Sequence, residues 1–242
     1  MIRRIPMYIV LVLSVLCLFG CEKEPYTLPV SVSVKMVMAP QTNDFLTFDK
    51  GLAAVGRISF TGQRLVGGNV SFVTEPGKEQ KVVFDTKEGG FVRYFDIPQG
   101  EYQMMGWHLY LTDLDLDDDG DETVDLPDDA GLLFVGNYSR LDGRVMPIVF
   151  AVESSESFLM TALDPDDMPD ITLLAEKKYG ASIVFDLGVA FSTLSRSSLE
   201  EADVEDGDVP FIEISSDENG ELYEMVLYRL QKSAKVVVNQ IS

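Results

Sequence analysis

Val30, Val32, Val34, Met36 and Met38 alternate with Ser31, Ser33, Lys35 and Val37, and this period of two restricts the fold more than any other feature. Side chains of an extended chain point alternately to opposite faces, so the pattern predicts a strand with one face buried. Similar segments recur at 54–60, 69–74, 81–86, 91–97, 102–112, 132–138, 145–152, 158–163, 171–175 and 181–187. Gly67-Gly68, Pro76-Gly77 and Gly89-Gly90 separate several of them. These are turn signals, because glycine tolerates positive φ and proline fixes its own. Short strands at short intervals imply a mainly β chain built as a sandwich or barrel.

One helix stands out against this background. Over 220–232, Leu222, Tyr223, Val226, Leu227 and Leu230 fall on one face at spacings of three and four. Glu221 and Glu224 lie early and Arg229 and Lys232 late, which complements the helix dipole. A strand over 235–239 is expected to follow it. Ser198-Leu199-Glu200-Glu201 fits a capping box and predicts a short helix beginning there. The polar run Asp164–Asp170, with Pro165 and Pro169, marks a boundary between a β domain over 30–163 and a smaller segment over 170–242, which is either separate or part of the same domain.

Charge removes whole classes of function. The chain of 242 residues has 19 Lys and Arg against 40 Asp and Glu, a net charge of −21. A basic face for phosphates is hard to assemble from so few cations, so nucleic-acid binding is not expected. A hydrophobic content of 46% is enough for a real core, which argues against a disordered acidic chain.

The N-terminus reads as an address. Arg3 and Arg4 precede an uncharged, strongly apolar stretch over 5–20 that is shorter than the roughly 20 residues a spanning helix needs. Leu18-Phe19-Gly20-Cys21 ends it with a branched apolar residue, a small residue and a cysteine, and resembles the bacterial lipobox. That resemblance implies removal of residues 1–20, lipidation of Cys21 and attachment to a membrane by acyl chains, each worth about 0.8 kcal/mol per buried methylene. Residues 21–29, with Pro25 and Pro29, would then be a tether. Cys17 would be discarded and Cys21 blocked, leaving no free thiol for catalysis. Glu22, Lys23 and Glu24 resemble the acidic export tag of Bacteroidetes-type surface lipoproteins, which implies the outer membrane and an outward-facing protein.

Asp96-Ile97-Pro98-Gln99-Gly100-Glu101-Tyr102 reads as a strand end, a Pro-x-Gly turn and an aromatic opening the next strand. It looks like the hairpin of transthyretin-like β-sandwich domains of secreted lipoproteins. With the pattern above, this implies Greek-key, transthyretin-like sandwich lobes followed by a helix near the C-terminus.

Three candidate sites follow. Asp115, Asp117, Asp119 and Asp121 lie in an acidic run, and Asp115, Asp117, Asp119 and Gly120 match the D-x-D-x-D-G start of a calcium loop. The twelfth position is Leu126 rather than the bidentate glutamate of an EF-hand, so the choice is between a looser Ca²⁺ turn and a solvated acidic loop. Trp107 and Tyr110, with Phe134 and Tyr138, are either a stacking platform for sugars or core aromatics. His108 is the only histidine and has no partner motif, which points to a structural role. No nucleophile elbow, phosphate loop or zinc-protease motif occurs. The function expected is a lipid-anchored adhesion or assembly module without catalysis, binding a protein partner. The rivals are a glycan-binding accessory of nutrient uptake, calcium-dependent or not, and a carboxylate-based hydrolase.

Overall fold

The computed structural model describes residues 26–41, 43–74, 80–114, 129–205 and 209–241. The elements are β1 (Pro29–Met38), β2 (Leu46–Arg64), β3 (Val70–Val73), β4 (Gln80–Phe84), β5 (Gly90–Pro98), β6 (Gly100–Leu111), β7 (Ala130–Ser139), β8 (Val145–Glu153), β9 (Ser157–Leu163), β10 (Ile171–Leu173), β11 (Lys178–Phe185), α1 (Leu187–Ala190), α2 (Arg196–Glu200), β12 (Ile212–Ile214), α3 (Gly220–Ser233) and β13 (Lys235–Ile241). The chain is mainly β with a helix near its C-terminus, as the periodicity implies. In β1 the alternation is literal, with Val30, Val32, Val34, Met36 and Met38 all buried.

The sequence suggests sandwich lobes; the pairing gives one continuous mixed sheet. Its path is β12-β8-β7-β2-β6-β9-β13-β11-β1-β5, with β10 beside β6 and with β3 and β4 beside β2. Three pairs are parallel (β1 with β11, β12 with β8, β13 with β9), which an antiparallel Greek key does not contain. The two halves of the path face each other. Phe95 of β5 packs edge-on to Trp107 of β6, with ring centroids 5.4 Å apart, and Phe134 of β7 meets Phe185 of β11 at 5.7 Å. The sheet therefore turns over on itself, and the turn falls at β9, which pairs with β6 on one side and β13 on the other.

Two local readings are corrected. The Pro98-Gln99-Gly100 turn does not close a hairpin, because β5 pairs with β1 whereas β6 pairs with β2, β9 and β10. It is a corner at which the chain leaves one half of the sheet for the other. Gly100 has φ +150°, and the Tyr102 hydroxyl donates to the Pro98 carbonyl at 2.6 Å, tying the corner back on itself. Burial pushes that phenol's pKa up to about 12. The second correction concerns the short helix at 198. Its cap lies three residues earlier, at Ser195, whose Oγ accepts from the Ser198 amide at 3.0 Å, and the helix begins at Arg196.

The polar run Asp164–Asp170 links β9 to β10, and the strands beyond it interleave with those before it. β11 lies between β1 and β13, and β10 pairs with β6. Residues 30–163 and 170–241 thus share the same ladders.

Helix α2 is locked to the β7–β8 connection by Glu200. Its carboxylate accepts from the Leu141 amide at 2.6 Å, the Tyr138 hydroxyl at 2.9 Å and the Arg140 Nε and Nη2 at 3.0 and 2.8 Å. Arg196 returns along the same seam, donating to the carbonyls of Ser139 and Arg140. The Leu141 amide, then Tyr138 and Arg140, outweigh desolvation and hold the Glu200 carboxyl below its usual 4.5. A depressed carboxylate contributes stability above its unfolded pKa and loses it as pH falls through the folded one. Glu200→Gln should therefore melt lower than the parent at neutral pH, and the gap should narrow below pH 4.5. Thermal melts of both proteins across that range check it.

Candidate functional site

The corner of the sheet leaves β9 incompletely paired. On the β6 side its register is Tyr110 opposite Ser157, His108 opposite Leu159 and Gly106 opposite Thr161. On the other side β13 pairs with it only at Ala162 and Leu163. The Ser157 carbonyl accepts from Gln231 Nε2 of α3 at 3.4 Å, so it points away from β6. In an antiparallel ladder such outward-turned residues alternate with the hydrogen-bonded ones. Leu159 accordingly turns its N–H and C=O the same way as Ser157, while Phe158 and Met160 bond to β6. No described residue pairs with those two groups of Leu159. An edge of this kind is a template for another extended chain.

The C-terminal half of α3 lies alongside and makes the edge one wall of a groove of about 560 Å³. Ser157, Leu159, Thr161 and Leu163 line one side, and Tyr228, Gln231, Lys232 and Ala234 line the other. The helix is held there because Tyr223, Val226, Leu227 and Leu230 are buried, with Tyr223 against Phe150 of β8. Gln231 fixes its distance from β9 by bridging Glu156 Oε2 at 2.8 Å and the Ser157 carbonyl. Leu159 and Tyr228, at 73% and 63% exposure, stand on opposite walls with their apolar surface in water. The cations of the lining are Lys232, which reaches over the Tyr228 ring at 5.7 Å, and Lys235, paired with Asp167 at 2.6 Å.

Beside the groove, the outward row of β2, β6 and β9 carries Arg57, Tyr110 and Ser157 in register. The Arg57 guanidinium lies 3.9 Å from the Tyr110 ring centroid, and the His108 ring is 4.0 Å from the same ring. His108 Nε2 is 2.9 Å from the Ser157 hydroxyl. Partial burial and then the Arg57 charge lower the His108 pKa, so the imidazole is neutral at pH 7. These contacts make a packed polar row, and they bring a hydroxyl and an imidazole together at the wall of the groove, because Ser157 also lines it. No protein-family model matches this chain, and no curated protein or solved structure matches it. The groove and its chemistry stand on their own.

The sequence-expected site residues are not brought together. Trp107 is fully buried between Phe60 and Phe95, and Phe134 and Tyr138 are also fully buried. Tyr110 faces the other side of the sheet, with Arg57 and His108 against its ring. The proposed stacking platform of Trp107 and Tyr110 is therefore not formed, because residues three apart on one strand point to opposite faces. Cys21 and Asp115, Asp117, Asp119 and Asp121 lie outside the described residues. Among the described residues no group of three or more His, Cys, Asp or Glu is arranged to hold a metal, and no helix is long and apolar enough to cross a membrane.

The half-paired edge was missed from the sequence. Segment 158–163 reads as an ordinary strand, and nothing in it says that its second neighbour stops after two residues. The available hint is on α3, where the exposed Tyr228 interrupts the polar face one turn before Lys232.

Proposed function

We propose that this protein is a lipid-anchored assembly module of the bacterial cell envelope, without catalysis, which takes up an extended segment of a partner protein as an added strand on β9. The carrying observation is the pair of backbone groups on Leu159 that face the α3 groove with no described partner. Backbone hydrogen bonds to such an edge supply affinity, and the pockets beside it supply specificity. The span from 157 to 161 suits a segment of about five residues, roughly 17 Å at the rise of a strand. The N-terminal lipobox and the acidic residues after Cys21 favour display at the outer membrane, with the lipid as the only membrane contact.

The test uses a photo-reactive phenylalanine analogue in place of Tyr228, crosslinked in intact cells, with and without Leu159→Pro. Proline at 159 removes one outward-pointing N–H while leaving the β6 ladder intact. The expected result is a polypeptide adduct that Leu159→Pro abolishes at equal protein level. An adduct of unchanged yield, or none, counts against strand uptake.

A further inference from the structure

The reading above leaves the partner's chemistry open, and the groove narrows it. In a chain where acidic residues outnumber basic ones about two to one, the groove lining contains Lys232 and Lys235 and no Asp or Glu. Lys235 is already satisfied by Asp167 at 2.6 Å. Lys232 has no carboxylate partner among the described residues. Its neighbours one helical turn back are Tyr228 and Arg229, so no intrahelical ion pair forms. Arg229 is committed elsewhere, donating to the Val189 carbonyl at 3.1 Å and the Ser192 hydroxyl at 2.7 Å. The nearby Glu156 accepts from Gln231. The result is one cation without a counter-ion, mounted beside the exposed Leu159 and Tyr228 and above a strand edge with free hydrogen-bonding groups.

We propose that the segment added to β9 carries an acidic side chain that seats on Lys232, together with an apolar side chain that covers Leu159 and Tyr228. This rests on the strand-uptake reading and deepens it. In an added strand, residues two apart share a face, so an apolar and an acidic residue at alternate positions would enter the groove together. The strongly negative protein surface would repel an acidic peptide elsewhere, which makes the groove's local charge the element that selects it.

The experiment is selection from a random heptapeptide library displayed on phage, using the purified full chain as bait and Leu159→Pro as counter-bait. Peptides that the parent retains and Leu159→Pro does not should be enriched in Asp or Glu two positions from Val, Ile, Leu or an aromatic residue. The same selection on Lys232→Glu should lose that enrichment and favour Lys or Arg at the same place. Lys232 is an exposed lysine with no ion pair to lose, so this variant should fold and melt only slightly below the parent, by the loss of its dipole and Tyr228 ring contacts. Peptides that depend on Leu159 but show no acidic preference, or a preference unchanged by Lys232→Glu, overturn the acidic-segment proposal and leave strand uptake standing. No Leu159-dependent peptide at all overturns strand uptake and this proposal together.

Discussion

Trp107→Ala should lower the unfolding free energy by about 3–5 kcal/mol, the range for deleting a buried Trp or Phe side chain. The indole has no exposed surface, and its ring lies 5.1 Å from Phe60 and 5.4 Å from Phe95. Phe95 belongs to β5 and Trp107 to β6, so the lost volume sits where the two halves of the turned-over sheet meet and cannot be filled by shifting one strand alone. Tyr110→Ala, three residues away on the outer face, should cost about 1 kcal/mol or less, because it removes a partly exposed ring and its Arg57 contact. The Trp107 indole N–H has no hydrogen-bond partner among the described residues. Trp107→Phe, which deletes that unsatisfied donor and keeps an aromatic ring, should therefore be milder than Trp107→Ala. Urea unfolding of the three variants gives the order. Equal losses for Trp107→Ala and Tyr110→Ala would contradict the placement of the two rings.

The contrast between Trp107 and Tyr110 shows how far the sequence could be read. Period-two alternation located nearly every strand, and Trp107 and His108 lie on opposite faces as adjacent strand residues must, because facing is set locally by the pleat. The helix expected over 220–232 matches α3 closely, since its apolar stripe and charge order are also local. Pairing is a different matter. That β1 lies parallel to β11, or that β13 meets β9 for only two residues, depends on contacts between distant segments that no local pattern encodes. The Pro98–Gly100 corner has the chemistry of a hairpin turn, yet its flanking strands diverge because each finds its partner elsewhere. Residues 46–53 were missed as strand for a related reason. Burial alternates over 46–49 but the register slips between Phe48 and Lys50, and beyond it Ala53 and Val55 join the main core while Leu52 and Ala54 pack in a second apolar cluster, so the alternation is erased. The groove inherits this limit, being a consequence of where the sheet turns.

Strand direction at the groove makes the sharpest prediction, because proline at two adjacent positions should have opposite consequences. By the alternation that turns Ser157 and Leu159 outward, Phe158 donates its N–H to β6 and sits opposite Leu109. Phe158→Ala already removes a fully buried ring packed 5.3 Å from Phe185, at a cost of about 3–5 kcal/mol. Phe158→Pro should cost a further 1–3 kcal/mol or so, since the carbonyl it bonded on β6 is left buried without a donor. The sum reaches the lower range of whole-domain stability, about 5 kcal/mol, so this variant should be largely unfolded at room temperature. Leu159→Pro should fold, with a stability within about 1 kcal/mol of Leu159→Ala, because the N–H it lacks faces the open edge. Circular dichroism melts of the four variants decide the matter. If Leu159→Pro unfolds as Phe158→Pro does, the Leu159 amide is bonded inside the sheet, the edge is closed, and strand uptake loses its geometric basis. If it folds, the parent's groove presents a donor and an acceptor to solvent on a strand whose outer edge the protein's own sheet pairs at only one end, which is the condition an incoming chain requires.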